Sequence, residues 1–132
     1  MAGLHHVEIW IADPDSLHHD WGWLLPRLGF ERTAQWSGGV TWDGGGSYLT
    51  FTTSPRLVAA PHDRRRPGLN HLAFRAGDES DVDAIMQEAG SHGWTALYAE
   101  RYPHAGGPEH YAGWLENGDG FKVEIVADRF GA

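Results

Sequence analysis

His6-Val7-Glu8-Ile9-Trp10-Ile11-Ala12-Asp13 and His71-Leu72-Ala73-Phe74-Arg75-Ala76-Gly77-Asp78 correspond position for position at a constant offset of 65 residues. In the first stretch Val7, Ile9 and Ile11 alternate with His6, Glu8 and Trp10. In the second, Leu72 and Phe74 alternate with His71, Ala73 and Arg75. A period of two puts one set of side chains on each face of a half-buried strand. Self-similarity at a fixed offset indicates that one supersecondary unit occurs twice.

Reading outward, each stretch ends at an Asp and leads into a helical segment. The first helix is expected to start at Asp13-Pro14 or Ser16, to carry Leu17, Trp21, Leu24 and Leu28 on one face, and to close at Gly29, with Pro26 shortening or bending its end. For the second, Ser80 and Asp83 predict an acidic variant of the capping box; Val82, Ile85, Met86 and Ala89 form the apolar stripe, and Gly93 is the stop. Gly29-Phe30 and Gly93-Trp94 then open matching runs of strands and Gly-rich turns. Strands are expected around Val40-Trp42, Tyr48-Thr53, Ala112-Glu116 and Phe121-Ala127. The plan is β-α-β-β-β, twice. Residues 4–55 and 68–128 are the expected modules of one domain spanning 1–132, with 54–67 as linker.

Alternation decides which side chains share a surface. If Val7, Ile9, Leu49, Phe51, Leu72, Phe74, Val123 and Ile125 face the helices, then His6, Glu8, Trp10, Tyr48, Thr50, His71, Arg75, Lys122 and Glu124 face away from them. His6 and His71 open equivalent strands, and Glu124 lies in the last strand of the second module. Two imidazoles and one carboxylate suit Fe, Mn, Ni, Co or Zn as a divalent ion, with coordination positions left for water or substrate. A histidine bonded within a strand is the plain alternative for either His. His5 is expected on the opposite face from His6, and His62 in solvent.

The stretches Leu4-His5-His6-Val7-Glu8-Ile9, Gly68-Leu69-Asn70-His71-Leu72-Ala73-Phe74 and Gly118-Asp119-Gly120-Phe121-Lys122-Val123-Glu124-Ile125-Val126 resemble the vicinal-oxygen-chelate superfamily over nearly the whole chain. That superfamily includes glyoxalase I, bleomycin-binding resistance proteins and extradiol dioxygenases. The resemblance implies an α+β fold in which two paired βαβββ modules form a curved mixed sheet, a half-barrel, with helices on its outer side. It also implies a metal at His6, His71 and Glu124, a small-molecule ligand, and a homodimer. In glyoxalase I a fourth, carboxylate ligand sits in the last strand of the first module. Strand for strand that position is Thr50 here, which makes the triad more similar to that of the extradiol dioxygenases.

The loop from Glu100 to Tyr111 gathers ionisable and aromatic groups, so His104, His110 and Tyr111 join Glu8 as candidates for proton transfer. Trp10, Trp42, Tyr48, Thr50, Arg75 and Trp114 are candidates for contacting substrate; the aromatic ones could equally pack between modules. Nine His and seven Trp in a chain with five Phe and two Met suit a lined cavity.

The 132 residues can bury a substantial core, and the absence of cysteine removes disulfides, thiolate metal sites and a cysteine nucleophile. A net charge of −8, with Arg64-Arg65-Arg66 as the one basic run, argues against nucleic acid. No signal peptide or long apolar stretch is evident, which suggests the cytoplasm and no membrane. The expected function is a divalent-metal-dependent lyase, isomerase or dioxygenase acting on a small oxygen-bearing substrate. The alternative is a binding protein of the bleomycin-resistance type that sequesters an antibiotic without turnover.

Overall fold

The computed structural model describes residues 2–128; the ends of the expected 1–132 domain, Met1 and 129–132, lie outside them. The chain forms two compact units, Met1–Ala60 and Pro61–Ala132. Each has the βαβββ order expected from the repeat, with a four-stranded mixed sheet, and the fold class is α+β.

In the first unit the strands are β1 (His6–Trp10), β2 (Glu31–Trp36), β3 (Gly39–Asp43) and β4 (Tyr48–Thr52), arranged β1-β4-β3-β2. β1 runs parallel to β4, whereas the other pairs are antiparallel. The expected first helix is broken in two. Asp13 caps a 3₁₀ turn, Pro14–Leu17, with its side chain accepting from the Asp15 N–H at 2.9 Å. The chain then restarts at α1 (Asp20–Arg27), and Pro26 is accommodated in the last turn. Trp21, Leu24 and Leu25 are fully buried, and Trp21 packs against Phe51 of β4 with ring centroids 4.8 Å apart. Burying side chains of this size contributes roughly 1.5–3 kcal/mol each.

The second unit repeats this with β5 (Leu72–Gly77), α2 (Glu79–Glu88), β6 (Trp94–Leu97), β7 (Ala112–Asn117) and β8 (Lys122–Ala127), arranged β5-β8-β7-β6. Its capping box is displaced from expectation. Asp78, not Ser80, is the N-cap, and Asp81 reciprocates: each carboxylate takes the other residue's N–H at 3.0 Å. Asp83 lies too far along the helix to cap it. Beyond α2 the chain tightens into a 3₁₀ turn, Ala89–His92, and stops at Gly93, whose φ of 86° is the left-handed geometry that glycine adopts readily. The β7–β8 turn is held by Asn117, whose Oδ1 accepts from the Asp119 and Phe121 N–H groups at 3.1 and 2.9 Å.

The expected linker 54–67 is not uniformly solvated. From Pro61 onward it belongs to the second unit. There His62 lies flat on Phe121, 4.2 Å between centroids, and is half-buried, and burial lowers its pKa.

Candidate functional site

Strand register sets out the two faces of the second sheet. Leu72, Val123 and Leu115 pair across β5, β8 and β7, and so do Phe74, Ile125 and Gly113. This face packs on α2, which buries Val82 and Ile85. Side chains one residue out of phase point the other way: Ala73, Glu124 and Trp114 form one row, and Lys122 and Glu116 begin the next. The expected facing of Glu124 is therefore observed.

Glu124 is only 6% exposed. A buried carboxylate needs compensation, and two imidazoles approach it. His71 Nε2 lies 3.3 Å from Glu124 Oε1, and His110 Nε2 bonds to Glu124 Oε2. His71 sits one residue before β5, edge-on to Trp114 at 5.0 Å. Its other nitrogen, Nδ1, lies 2.8 Å from Asn70 Oδ1, while Asn70 Nδ2 donates to the Arg64 carbonyl at 3.0 Å. The amide orientation is thus determined, and Nδ1 of His71 must carry the proton. In neutral His71 the Nε2 lone pair then faces a carboxylate oxygen, so a cation or a second proton has to stand between them. That donor chemistry fits a divalent ion. Among the described residues no three His, Asp or Glu side chains stand as a ready-made ligand set.

Next along the same face, Lys122 is 9% exposed; its ammonium lies 4.7 Å from the Trp114 ring and 5.0 Å from the Tyr98 ring, and donates to the Tyr98 hydroxyl at 3.0 Å. That bond, followed by the nearby positive charges, lowers the Tyr98 pKa. Tyr98 has φ of 57°, unusual for a residue with a side chain.

Of the loop candidates, only His110 reaches Glu124. His104 Nδ1 bonds to the His110 carbonyl at 3.2 Å. Tyr111, next in sequence to His110, takes the opposite face and donates to Asp83 Oδ1 of α2 at 2.6 Å; Tyr102 donates to the same oxygen. Both bonds lower the Asp83 pKa and raise the phenols, although burial contributes most for Tyr102. These three residues border a cleft of about 460 Å³ together with Met86, Ala96 and Leu97.

In the first unit, register aligns His6, Glu8 and Trp10 of β1 with Tyr48, Thr50 and Thr52 of β4. His6 stacks on Tyr48, nearly parallel at 4.8 Å. Its Nδ1 lies 2.8 Å from His5 Nδ1, so His5 does not turn away from it. His5 precedes the strand, where alternation does not apply. Glu8 accepts from Trp10 Nε1 at 2.7 Å, and the Thr50 hydroxyl is shared with Thr41 at 2.9 Å. Trp42 is 5% exposed and pairs with Leu49, on the core face. Arg75 points to solvent and pairs with Asp128 at 3.0 Å.

The sequence alone assigns no site role to Asn70, Tyr98 or Tyr102, and to Asp83 only a helix cap. Asn70's position beside His71 was the available signal. Tyr98 carries none, because its geometry comes from a turn.

Two mixed βαβββ sheets, the second with a His–carboxylate cluster on the face opposite its helix, define the fold class, and comparison with known proteins names the family. The profile of the Glyoxalase/Bleomycin resistance protein/Dioxygenase superfamily matches residues 5–114. The uncharacterised protein YqjT of Bacillus subtilis (strain 168) is 38% identical over 125 residues, 94% of this chain and 98% of its own. A crystal structure from Bacillus halodurans, described only provisionally as a glyoxalase, is 43% identical, with a TM-score of 0.88 over 95% of each chain. A glyoxalase/bleomycin resistance protein from Albidiferax ferrireducens T118 shares the fold, with 21% identity and a TM-score of 0.74 over 95% of this chain and 98% of that one. The chain belongs to the Glyoxalase/Bleomycin resistance protein/Dioxygenase superfamily. Among the described residues no helix is long and apolar enough to cross a membrane.

Proposed function

We propose that the chain is a divalent-metal-dependent enzyme acting on a small oxygen-bearing molecule, with His71 and Glu124 as metal ligands. The observation that carries this reading is the 3.3 Å approach of His71 Nε2 to Glu124 Oε1, with Nδ1 committed to Asn70. His6 enters as a further ligand from the sequence repeat alone, and His110 is the competing donor within the second unit. A divalent ion bound there would supply Lewis acidity toward adjacent substrate oxygens.

The chain's own groups do the rest. Asn70 keeps His71 in the tautomer that presents Nε2. Trp114 supplies an apolar wall beside His71 that limits water. His110, hydrogen-bonded to Glu124, is placed to hold or pass a proton once its nitrogen is released from the carboxylate.

The test is metal titration of purified, chelator-stripped protein with Zn, Ni, Co, Mn and Fe(II), followed by calorimetry and thermal shift. One equivalent is expected to bind, with at least about a hundredfold weaker binding in His71→Ala and Glu124→Gln, about 2.7 kcal/mol. Comparing His6→Ala with His110→Ala identifies the remaining ligand: the variant that loses affinity marks it. Failure of every metal to bind stoichiometrically or to raise the melting temperature would sink the proposal.

A further inference from the structure

Lys122 is a buried cation with little to compensate it. An ammonium has three donor hydrogens, yet the structure gives this one a single acceptor, the Tyr98 hydroxyl, and two aromatic faces. Among the described residues no carboxylate lies within ion-pair range of it. Aromatic faces offset only part of the cost of burying a charge.

Two further cations approach the same tyrosine. The Arg101 guanidinium lies 5.1 Å from the Tyr98 ring, and Arg64 is close enough to help lower the Tyr98 pKa. Each arginine has one carboxylate at ion-pair distance, Glu100 3.7 Å from Arg101 and Glu116 3.7 Å from Arg64, but neither pair is within hydrogen-bond reach, and Arg64 Nε is buried with no hydrogen-bond partner. Ion pairs as open as that of Arg101 with Glu100 contribute little. In a chain of net charge −8, this clustering of positive charge is localised against the general field.

Its position matters. Lys122 and Glu124 project from the same face of β8 two residues apart, roughly 7 Å by strand rise. Trp114 lies between, in contact with His71 on one side and Lys122 on the other.

We propose that Lys122, Tyr98, Arg101 and Arg64 form a receptor for an oxyanion, a carboxylate or phosphate monoester. It would take the charged tail of a small, flat substrate that lies across Trp114 with its reacting oxygens at Glu124. The substrate class is thereby narrowed to anionic oxygenated molecules. The placing of the reacting oxygens rests on the function proposed above; the anion receptor itself does not.

The experiment titrates the full chain, with and without chelator, with benzoate, phenyl phosphate and neutral benzamide, followed by calorimetry and amide chemical shifts. Saturable binding of at least one anion is expected, with shifts at Tyr98, Arg101, Trp114 and Lys122 and much weaker binding of benzamide. Which anion binds more tightly tells a carboxylate from a phosphate ester. Lys122→Met keeps the stem length and removes the charge, and should weaken anion binding about tenfold or more. Arg101→Gln, at an exposed side chain that carries no fold, should weaken it severalfold should the first variant fold poorly. Absence of saturable anion binding, equal binding of benzamide, or unchanged affinity in both variants would overturn the inference. Metal binding without anion binding would remove this inference alone; anion binding without metal binding would remove only the metal reading.

Discussion

Replacing Asn70 with Leu, close in size but without an acceptor, removes the group that takes the His71 Nδ1 proton. The bond is 2.8 Å long, and Asn70 is itself held by the Arg64 carbonyl at 3.0 Å, so His71 has one well-determined orientation. Without it the imidazole can exchange tautomers and rotate, and the form that would offer Nε2 to the proposed metal ion becomes one state among several. Loss of such an outer partner typically costs 10–100-fold in metal affinity. Asn70 and the hydrogen bond are exposed and open to competition from water. The expectation is therefore the lower part of that range, about tenfold or 1.4 kcal/mol. Competition calorimetry against a chelator of known affinity measures it, with Asn70→Asp as the control that restores an acceptor. Equal metal affinity in the parent and Asn70→Leu would refute the reasoning, because it would mean that His71 is not oriented by Asn70.

Asp83 gives a pH prediction. The Tyr102 and Tyr111 hydroxyls hold its pKa below 3.8, so its stabilising contribution is present above that value and is lost as pH falls through the lowered pKa. Thermal melts of Asp83→Asn should therefore lose less stability on acidification below about pH 4 than the parent does. Phe51→Ala, at a fully buried position against Trp21, should cost about 3–5 kcal/mol in denaturant unfolding. At Gly39, a Cβ would meet the Phe51 carbonyl and the Trp36 ring, so Gly39→Ala is expected to destabilise by about 1–3 kcal/mol in the same assay, whereas Gly90→Ala, with open space around it, should not.

Much of this protein follows from local chemistry that a sequence displays directly. The period-two patterns around His6 and His71 name the strands and their faces, because adjacent strand residues cannot share a face. The offset between them implies two copies of one unit, and Gly93 marks a stop that only a left-handed residue makes easily. These features depend on neighbours a few positions apart. The capping box is the instructive failure: Ser80 and Asp83 have the right spacing, but the pair two residues earlier, Asp78 and Asp81, takes the role. Asp83 is thereby free to bind two tyrosines from 19 and 28 residues away.

What the sequence determined by itself was the βαβββ repeat, the family, and the facing of Glu124. Tertiary structure alone decided that His110 joins Glu124 while Tyr111 beside it turns to the other face, that Asn70 sets the proton on His71, and that Lys122 lies among aromatic rings with one acceptor. The physical reason is range. Periodicity encodes which face a side chain takes, but hydrogen bonds and buried charges are settled between groups that only the folded chain brings within about 3 Å of each other.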